Sequence, residues 1–310
     1  MTVVVFGSIN LDLVVEVPHL PVKGETVIGN RFFTATGGKA ANQAVAVAKL
    51  GNPVYSIGRI GNDSFGRVII DNLQQAGVDT TGVVIDPTIH SGVASIVVDF
   101  RGENAIACAS GANSLVREEE LSHFATLLPK ARVVLLELGI PLPTVMEALQ
   151  MARQEDCIVI LDPAPAQSRL PDELYRSVDI LTPNEIEASQ LVGFTVDGIT
   201  TARQAAAFLH QMGAKIVIIT LGNQGAYCST PTESYWAKPI PARVVDTVAA
   251  GDAFNGALAV ALAQGKSLRE AVEWGNVAGA LAVTKAGAQP SLPDSDRFLA
   301  FLAQQKNCSS

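Results

Sequence analysis

The feature that most constrains the fold is an alternation. Short runs of Val, Ile and Leu recur along the chain, and stretches of helical length lie between them. Residues 3–6, 54–57, 133–136, 158–161, 180–181 and 216–219 are apolar at successive positions, which suits strands buried on both faces. Helices are predicted over 40–50, 64–76, 117–128, 143–154, 185–191 and 201–212, with 267–284 and 293–304 at the end. Strands alternating with helices predict an α/β fold: a three-layer, Rossmann-like arrangement with a mostly parallel sheet and helices on both faces. The 310 residues are expected to form one such domain. Two segments, 12–36 and 92–109, break the pattern. Their extended character predicts a small antiparallel sheet, the second segment being a hairpin around 101–104. Such a sheet is either a lid or dimer contact, or a decoration of the main sheet's edge.

Polar residues collect where the predicted strands end. Gly7 to Asp12 follow the first, Glu137 the third, Asp162 the fourth, Thr182 to Glu185 the fifth and Thr220 to Gly222 the sixth. Open α/β sheets bind ligands at their carboxyl edge, so this distribution predicts a small-molecule site there.

Charge and cysteine usage narrow the function. The net charge is −8 and no Lys/Arg run is present, which argues against nucleic acid and membrane surfaces as partners. Cys108, Cys157, Cys228 and Cys308 are far apart and form no CxxC pair, which fits a reducing, cytoplasmic setting without zinc or disulfides. The first apolar run is cut by Gly7, and no stretch approaches 18 apolar residues. Asn307-Cys308-Ser309 fits a glycosylation sequon but reads better as a polar tail. Neither G-x-G-x-x-G nor a Walker A loop occurs, so a nicotinamide-dependent enzyme and a P-loop enzyme lack support.

Five stretches carry chemistry. From Asp246 to Ala257 a loop of small residues enters an apolar helix predicted over 253–263. The backbone N–H groups of Ala249, Ala250, Gly251 and Asp252 can converge on an anion there. Asp252 is either a proton acceptor for a hydroxyl nucleophile or an ordinary helix N-cap. Thr36-Gly37-Gly38-Lys39-Ala40-Ala41-Asn42-Gln43 combines close backbone approach, a cation and an amide; a plain glycine turn accounts for it equally. Asn10 and Asp12, two residues apart, suit vicinal hydroxyls or a local turn. In Thr182-Pro183-Asn184-Glu185, Thr182 is the expected N-cap and Glu185 the end of a capping box. That leaves Asn184 and Glu187 free, Glu187 to organise Mg²⁺ through water. The glycines of Thr220-Leu221-Gly222-Asn223-Gln224-Gly225 permit a flat contact with a nucleobase, or simply a β-turn.

Jointly, these motifs resemble the ribokinase-like (PfkB) carbohydrate kinases. Gly37 to Ala44 match the amino-terminal pattern, with Gly51 and Gly61 beyond it, and Asp246 to Ala257 match the carboxyl-terminal one. Supporting stretches run from Gly7 to Ser291, nearly the whole chain, and are most similar to the ribose-specific branch. The resemblance implies ATP-dependent phosphorylation of D-ribose at O5. It makes Asp252 the base and residues 249–252 the anion hole. Asn10, Asp12, Gly38, Lys39 and Asn42 would hold the sugar. Asn184, Thr220, Gly222, Gly225, Gly251 and Asn276 would line the ATP site, and Glu187 would help place Mg²⁺. A K⁺ site would use Asp246, Val248, Ala282, Lys285, Gly287 and Ser291. The 12–36 and 92–109 segments would be a β-lid that also builds a homodimer. One departure concerns specificity: Gly139 stands where the family carries a sugar-contacting Glu, with Glu137 two residues earlier. Fructose, deoxyribose and nucleosides are therefore alternative acceptors, and a non-catalytic sensor is a further alternative.

Overall fold

The computed structural model describes residues 1–308, with side chains through Gln305. The complete sequon at 307–309 and the Cys308 thiol lie outside the described residues. Strand β1 (Thr2–Phe6) leads to β2 (Asn10–Val17) and β3 (Arg31–Gly37), which runs into helix α1 (Lys39–Lys49). Next come β4 (Val54–Gly61), α2 (Ser64–Gln75), β5 (Asp79–Asp86), β6 (Gly92–Asp99) and β7 (Asn104–Ala109). The alternation continues with α3 (Glu118–Leu127), β8 (Ala131–Glu137), α4 (Leu142–Gln154), β9 (Ile158–Asp162), α5 (Asp172–Ser177), β10 (Ile180–Leu181) and α6 (Glu185–Val192). α7 (Ile199–Met212), β11 (Ile216–Thr220), β12 (Ala226–Ser229) and β13 (Ser234–Ala237) follow. Four helices end the chain: α8 (Ala250–Ala263), α9 (Leu268–Ala282), α10 (Ala288–Ser291) and α11 (Ser295–Cys308).

The main sheet has the order β13-β12-β11-β10-β9-β8-β1-β4-β5. It is parallel except for β12 and β13. All six predicted strands are in it. β5, β12 and β13 are not among them; β5 forms one edge and β13 the other, with the short, buried β12 beside it. Edge strands are half-exposed, so they lack the continuous apolar run that marks the central ones. Because side chains alternate along a strand, Val3 and Val5 pack with α1, α8 and α9 on one face. Val4 and Phe6 pack with α3, α4 and α7 on the other.

Strand order reverses at β1, with β4 and β5 on one side and β8 onward on the other. The loops after β1 and β8 therefore diverge and open a crevice at the carboxyl edge. Above it lies a second sheet, of order β3-β2-β6-β7. It is mixed rather than antiparallel, because β2 and β6 pair in parallel. Each of these strands continues from a parallel strand of the main sheet, β1 and β5, so both leave in the same direction. Residues 26–28 form no strand.

Helix α8 is buried on all sides from Asp252 to Ala263, as its Ala- and Gly-rich sequence allows. Its contact with α1 depends on Gly256, where an added Cβ would lie 2.5 Å from Ala46 Cβ and 3.3 Å from the Gln43 carbonyl. Gly256→Val is expected to force these helices apart and to cost about 1–3 kcal/mol of stability, as read by urea unfolding.

Candidate active site

The structure removes one of the two readings of Asp252, that of an N-cap. Helix α8 starts at Ala250 with Ala249 as its N-cap, so Asp252 occupies the third helical position and caps nothing. Ala249 has φ 59° and ψ 13°, in the left-handed region; Asp156 is the one other non-glycine residue with positive φ among the described residues. Such a conformation costs an alanine about 1–2 kcal/mol, a strain typical of functional loops. Of the four amides predicted to converge, Ala250 N–H donates to the Thr247 carbonyl at 3.3 Å. Those of Ala249, Gly251 and Asp252 have no acceptor among the described residues. A Cβ on Gly251 would meet nothing within 4 Å, so the turn is uncovered at that residue.

The Asp252 carboxylate is oriented by the first turns of α1. Gly38, the α1 N-cap, has φ 87°, and a Cβ there would lie 2.6 Å from the Ser8 carbonyl. Glycine is thus required for α1 to start against the β1–β2 turn. Lys39, Asn42 and Gln43 stand at helical spacing and project toward one space. Asn42 Nδ2 donates to Asp252 Oδ2 at 2.9 Å. Gln43 Nε2 donates to Asp252 Oδ1 at 3.2 Å and to Asp162 Oδ2 at 3.0 Å. Lys39 Nζ lies 3.5 Å from Asp162 Oδ2 and keeps its side chain 37% exposed toward the crevice. Asn42 Oδ1 is buried with no partner among the described residues, so it is an acceptor held ready. Burial raises the pKa of Asp252, while Lys39 and the two amides oppose the rise. Burial also works against the charge of Lys39, but Asp162, Asp252, Glu187 and Glu137 hold it protonated.

Asn10 and Asp12 share one face of β2, as a period of two requires. Asn113 pins their strand: its Oδ1 accepts Ile9 N–H at 2.9 Å and its Nδ2 donates to Asn10 Oδ1 at 2.8 Å. Gly37 makes room for the Asp12 carboxylate, where a Cβ would collide with it. Burial, with Asp252 second, pushes Asp12 up to about 6. Cross-strand register aligns Asp12, Ala94 and Cys108, and the Cys108 thiol is raised by burial and by Asp12. The crevice thus joins open amides, a buried carboxylate, a lysine and a wall of hydrogen-bonding groups.

The profile of the pfkB family carbohydrate kinases matches residues 1–295. The chain belongs to this family. It is 42% identical over 301 residues to a ribokinase of Haemophilus influenzae, covering 97% of this chain and 98% of that one. A deoxyribokinase of Salmonella typhi is 34% identical over 303 residues, covering 98% and 99%. A solved Arabidopsis thaliana ribokinase, complexed with ribose and ATP, superposes with a TM-score of 0.89 at 35% identity, covering 97% and 98%.

At the other end of the crevice, one expectation for this PfkB kinase needs correction. The N-cap of α6 is Asn184, not Thr182. Asn184 Oδ1 accepts the N–H groups of Ile186 and Glu187 at 2.8 Å each, and Glu187 Oε2 accepts Asn184 N–H at 2.9 Å. Proline at 183 mimics a helix start, but the capping box closes two residues later, on a side chain that can accept two amides. Neither Asn184 nor Glu187 is therefore free; the Asn184 amide nitrogen and one Glu187 oxygen remain. Gly225 faces the chain itself, since a Cβ there would collide with the Ala237 carbonyl. Gly222, with φ 50°, is the open one of the pair, and Thr220 bridges to Asn184. Asn276 uses its Nδ2 on the carbonyls of Ala237 and Lys238, both at 3.3 Å.

Glu137 is fully buried and accepts Ser8 N–H at 2.5 Å, Ser8 O–H at 3.1 Å and Gly139 N–H at 2.9 Å. It ties the loops after β1 and β8 together. A Cβ at Gly139 would lie 2.7 Å from Glu137 Oε2, so glycine and carboxylate fit as a pair. Of the residues expected at the cation site, Asp246 joins Val248 and Gly287, and Lys285 and Ser291 make local bonds. Asp246 accepts Val248 N–H at 3.0 Å and Gly287 N–H at 2.8 Å, Lys285 N–H donates to the Ala282 carbonyl at 3.3 Å, and Ser291 O–H donates to the Ala288 carbonyl at 2.7 Å. Carboxylate, hydroxyl and carbonyl oxygens suit a hard cation.

Burial is the largest influence on Glu137 and raises it from 4.5 to about 7. Between those values the folded protein binds the proton more tightly than the unfolded chain, so this group costs stability as pH rises through the window. Glu137→Gln is therefore expected to lose less stability than the parent between about pH 5 and about pH 8, measured by urea unfolding at each pH.

Proposed function

We propose that the chain transfers the terminal phosphoryl group of ATP to the primary hydroxyl of D-ribose, giving D-ribose 5-phosphate and ADP. One observation carries the reading: a buried carboxylate, aimed by two amides, stands at the start of a helix where the Gly251 and Asp252 N–H groups have no acceptor among the described residues. The 42% identity to a ribokinase and the fold shared with a ribose- and ATP-bound one support it.

The reaction demands positioning and charge stabilisation more than covalent chemistry. Asp252 takes the proton of the ribose hydroxyl as the new O–P bond forms and the bond to the ADP oxygen breaks. The hydroxyl is a weak acid, so a late proton transfer suffices. The amides of Ala249, Gly251 and Asp252 face the charge that builds on the phosphoryl oxygens. Asn10, Asp12, Gly38, Lys39 and Asn42 hold the sugar, and the unpartnered Asn42 Oδ1 accepts a hydroxyl. Asn184, Thr220 and Gly222 face the nucleotide; Gly225 and Asn276 shape its wall. Glu187 would hold Mg²⁺ through water, and bound Mg²⁺ supplies charge neutralisation at the phosphates. The oxygen-rich loops around Asp246 and Gly287 would hold K⁺ and fix the geometry of the adjoining 249–252 turn. The small sheet acts as a lid, and its exposed Phe32 and Ile106, with Ile28 in the loop before β3, suit a second copy of the chain. Composition supports a cytoplasmic setting, and no described helix is long and apolar enough to cross a membrane.

Deoxyribose is the second reading. Gly139 removes one expected sugar contact, and the Salmonella typhi relative is a deoxyribokinase. ADP release across a sugar panel is expected to give the highest kcat/KM with D-ribose; a preference for 2-deoxyribose would replace it. Asp252→Asn is expected to lower kcat by about two orders of magnitude or more with nucleotide binding near intact, and a near-parental kcat would remove the base role. Replacing K⁺ by tetramethylammonium is expected to slow turnover; equal rates would count against the cation site.

A further inference from the structure

We propose that Gln43 is a positioning residue for the Asp252 base, its single amide nitrogen clasping Asp252 and Asp162 with one N–H each. The inference rests on the reading of Asp252 as base. Gln43 is fully buried, with no room to turn toward solvent. Its Nε2 stands 3.2 Å from Asp252 Oδ1 and 3.0 Å from Asp162 Oδ2, and an amide nitrogen has two hydrogens, enough for both bonds. Its Oε1 has no partner among the described residues, so the alternative orientation, with oxygen toward two carboxylates, would set three acceptors against one another.

The clasp separates two tasks. Asn42 holds one oxygen of Asp252 and also presents an open acceptor, so it belongs to the substrate wall. Gln43 lies behind the carboxylate and has no open face; its work is done through Asp252. Without it, Asp252 and Asp162 would confront each other with Lys39 as the main compensation. The charged groups around the pair are Asp12, Lys39 and Glu187 near Asp252, and Lys39, Glu137 and Glu187 near Asp162. Like charges without a shared donor favour the protonated acid, which is the form of Asp252 that accepts no proton. The clasp also depends on the α1–α8 contact at Gly256, where the Gln43 carbonyl is the second nearest atom to an added Cβ.

The experiment is the pH profile of kcat with saturating ATP and ribose for the parent, Gln43→Met, Asp162→Asn and Asp252→Asn, each first checked by thermal unfolding. Methionine fills the space and donates nothing. Gln43→Met is expected to move the acid limb up by about one pH unit, so that kcat falls about tenfold below the limb and recovers above it, with KM for ATP unchanged. Asp162→Asn removes a like charge and is expected to move the limb the opposite way. A loss in Gln43→Met that is the same at every pH, an unmoved limb, or shifts of both variants in one direction would overturn the positioning role. Near-parental kcat in Asp252→Asn would instead overturn the base assignment, and the clasp would fall with it. An inactive Asp252→Asn beside a parental acid limb in Gln43→Met would sink the clasp alone.

Discussion

Four buried or nearly buried carboxylates surround one ammonium group, and the rest of the site follows from that crowding. Asp162, Asp252, Glu187 and Glu137 all act on Lys39. At an effective dielectric near 20, a pair of unit charges about 4 Å apart interacts by about 4 kcal/mol, so one lysine does not offset four acids. The remainder is handled by donors and by protonation. Asn42 and Gln43 donate to Asp252, Ser8 and Gly139 donate to Glu137, and Glu137 and Glu187 are pushed up to about 7. Burial raises Asp252 as well, so the crowding is felt throughout the cluster.

Three backbone features make this possible, and each involves a residue without a bulky side chain. Gly38 lets α1 begin against the β1–β2 turn, Gly256 lets α1 touch α8, and Ala249 accepts a left-handed conformation that directs the amides after it outward. Together they place donors from α1 and a carboxylate from α8 over the crevice where strand order reverses. The Asp246–Gly287 contact ties the segment leading into that turn to the loop before α10.

Local patterns made much of this legible. The central strands announce themselves by unbroken apolar runs, and the edge strands do not, because half of each faces water. Lys39 and Asn42 stood out beside two glycines. Gln43 carried a signal as well, being four residues after Lys39 on the same helical face, but a glutamine in an apolar helix has nothing local to mark it as a bridge. Asp162 stood at a strand end without an evident partner. The cap of α6 was misplaced because Thr182-Pro183 and Asn184-Glu185 both satisfy helix-start rules, and only backbone geometry chooses between them. Gly225 looked like Gly222 in sequence; the Ala237 carbonyl distinguishes them.

By itself the sequence determined the layered α/β architecture, the membership in the PfkB family and the neighbourhood of the active site, because apolar periodicity, glycine placement and helix-entry motifs are properties of adjacent residues. Tertiary structure alone decided which acid faces which donor. The Gln43 contacts to Asp162 and Asp252 join residues 119 and 209 positions apart, and Glu137 reaches Ser8 across 129. Burial and charge crowding arise only when such distant segments meet, so whether Asp252 capped a helix or faced a substrate was not written in its own neighbours.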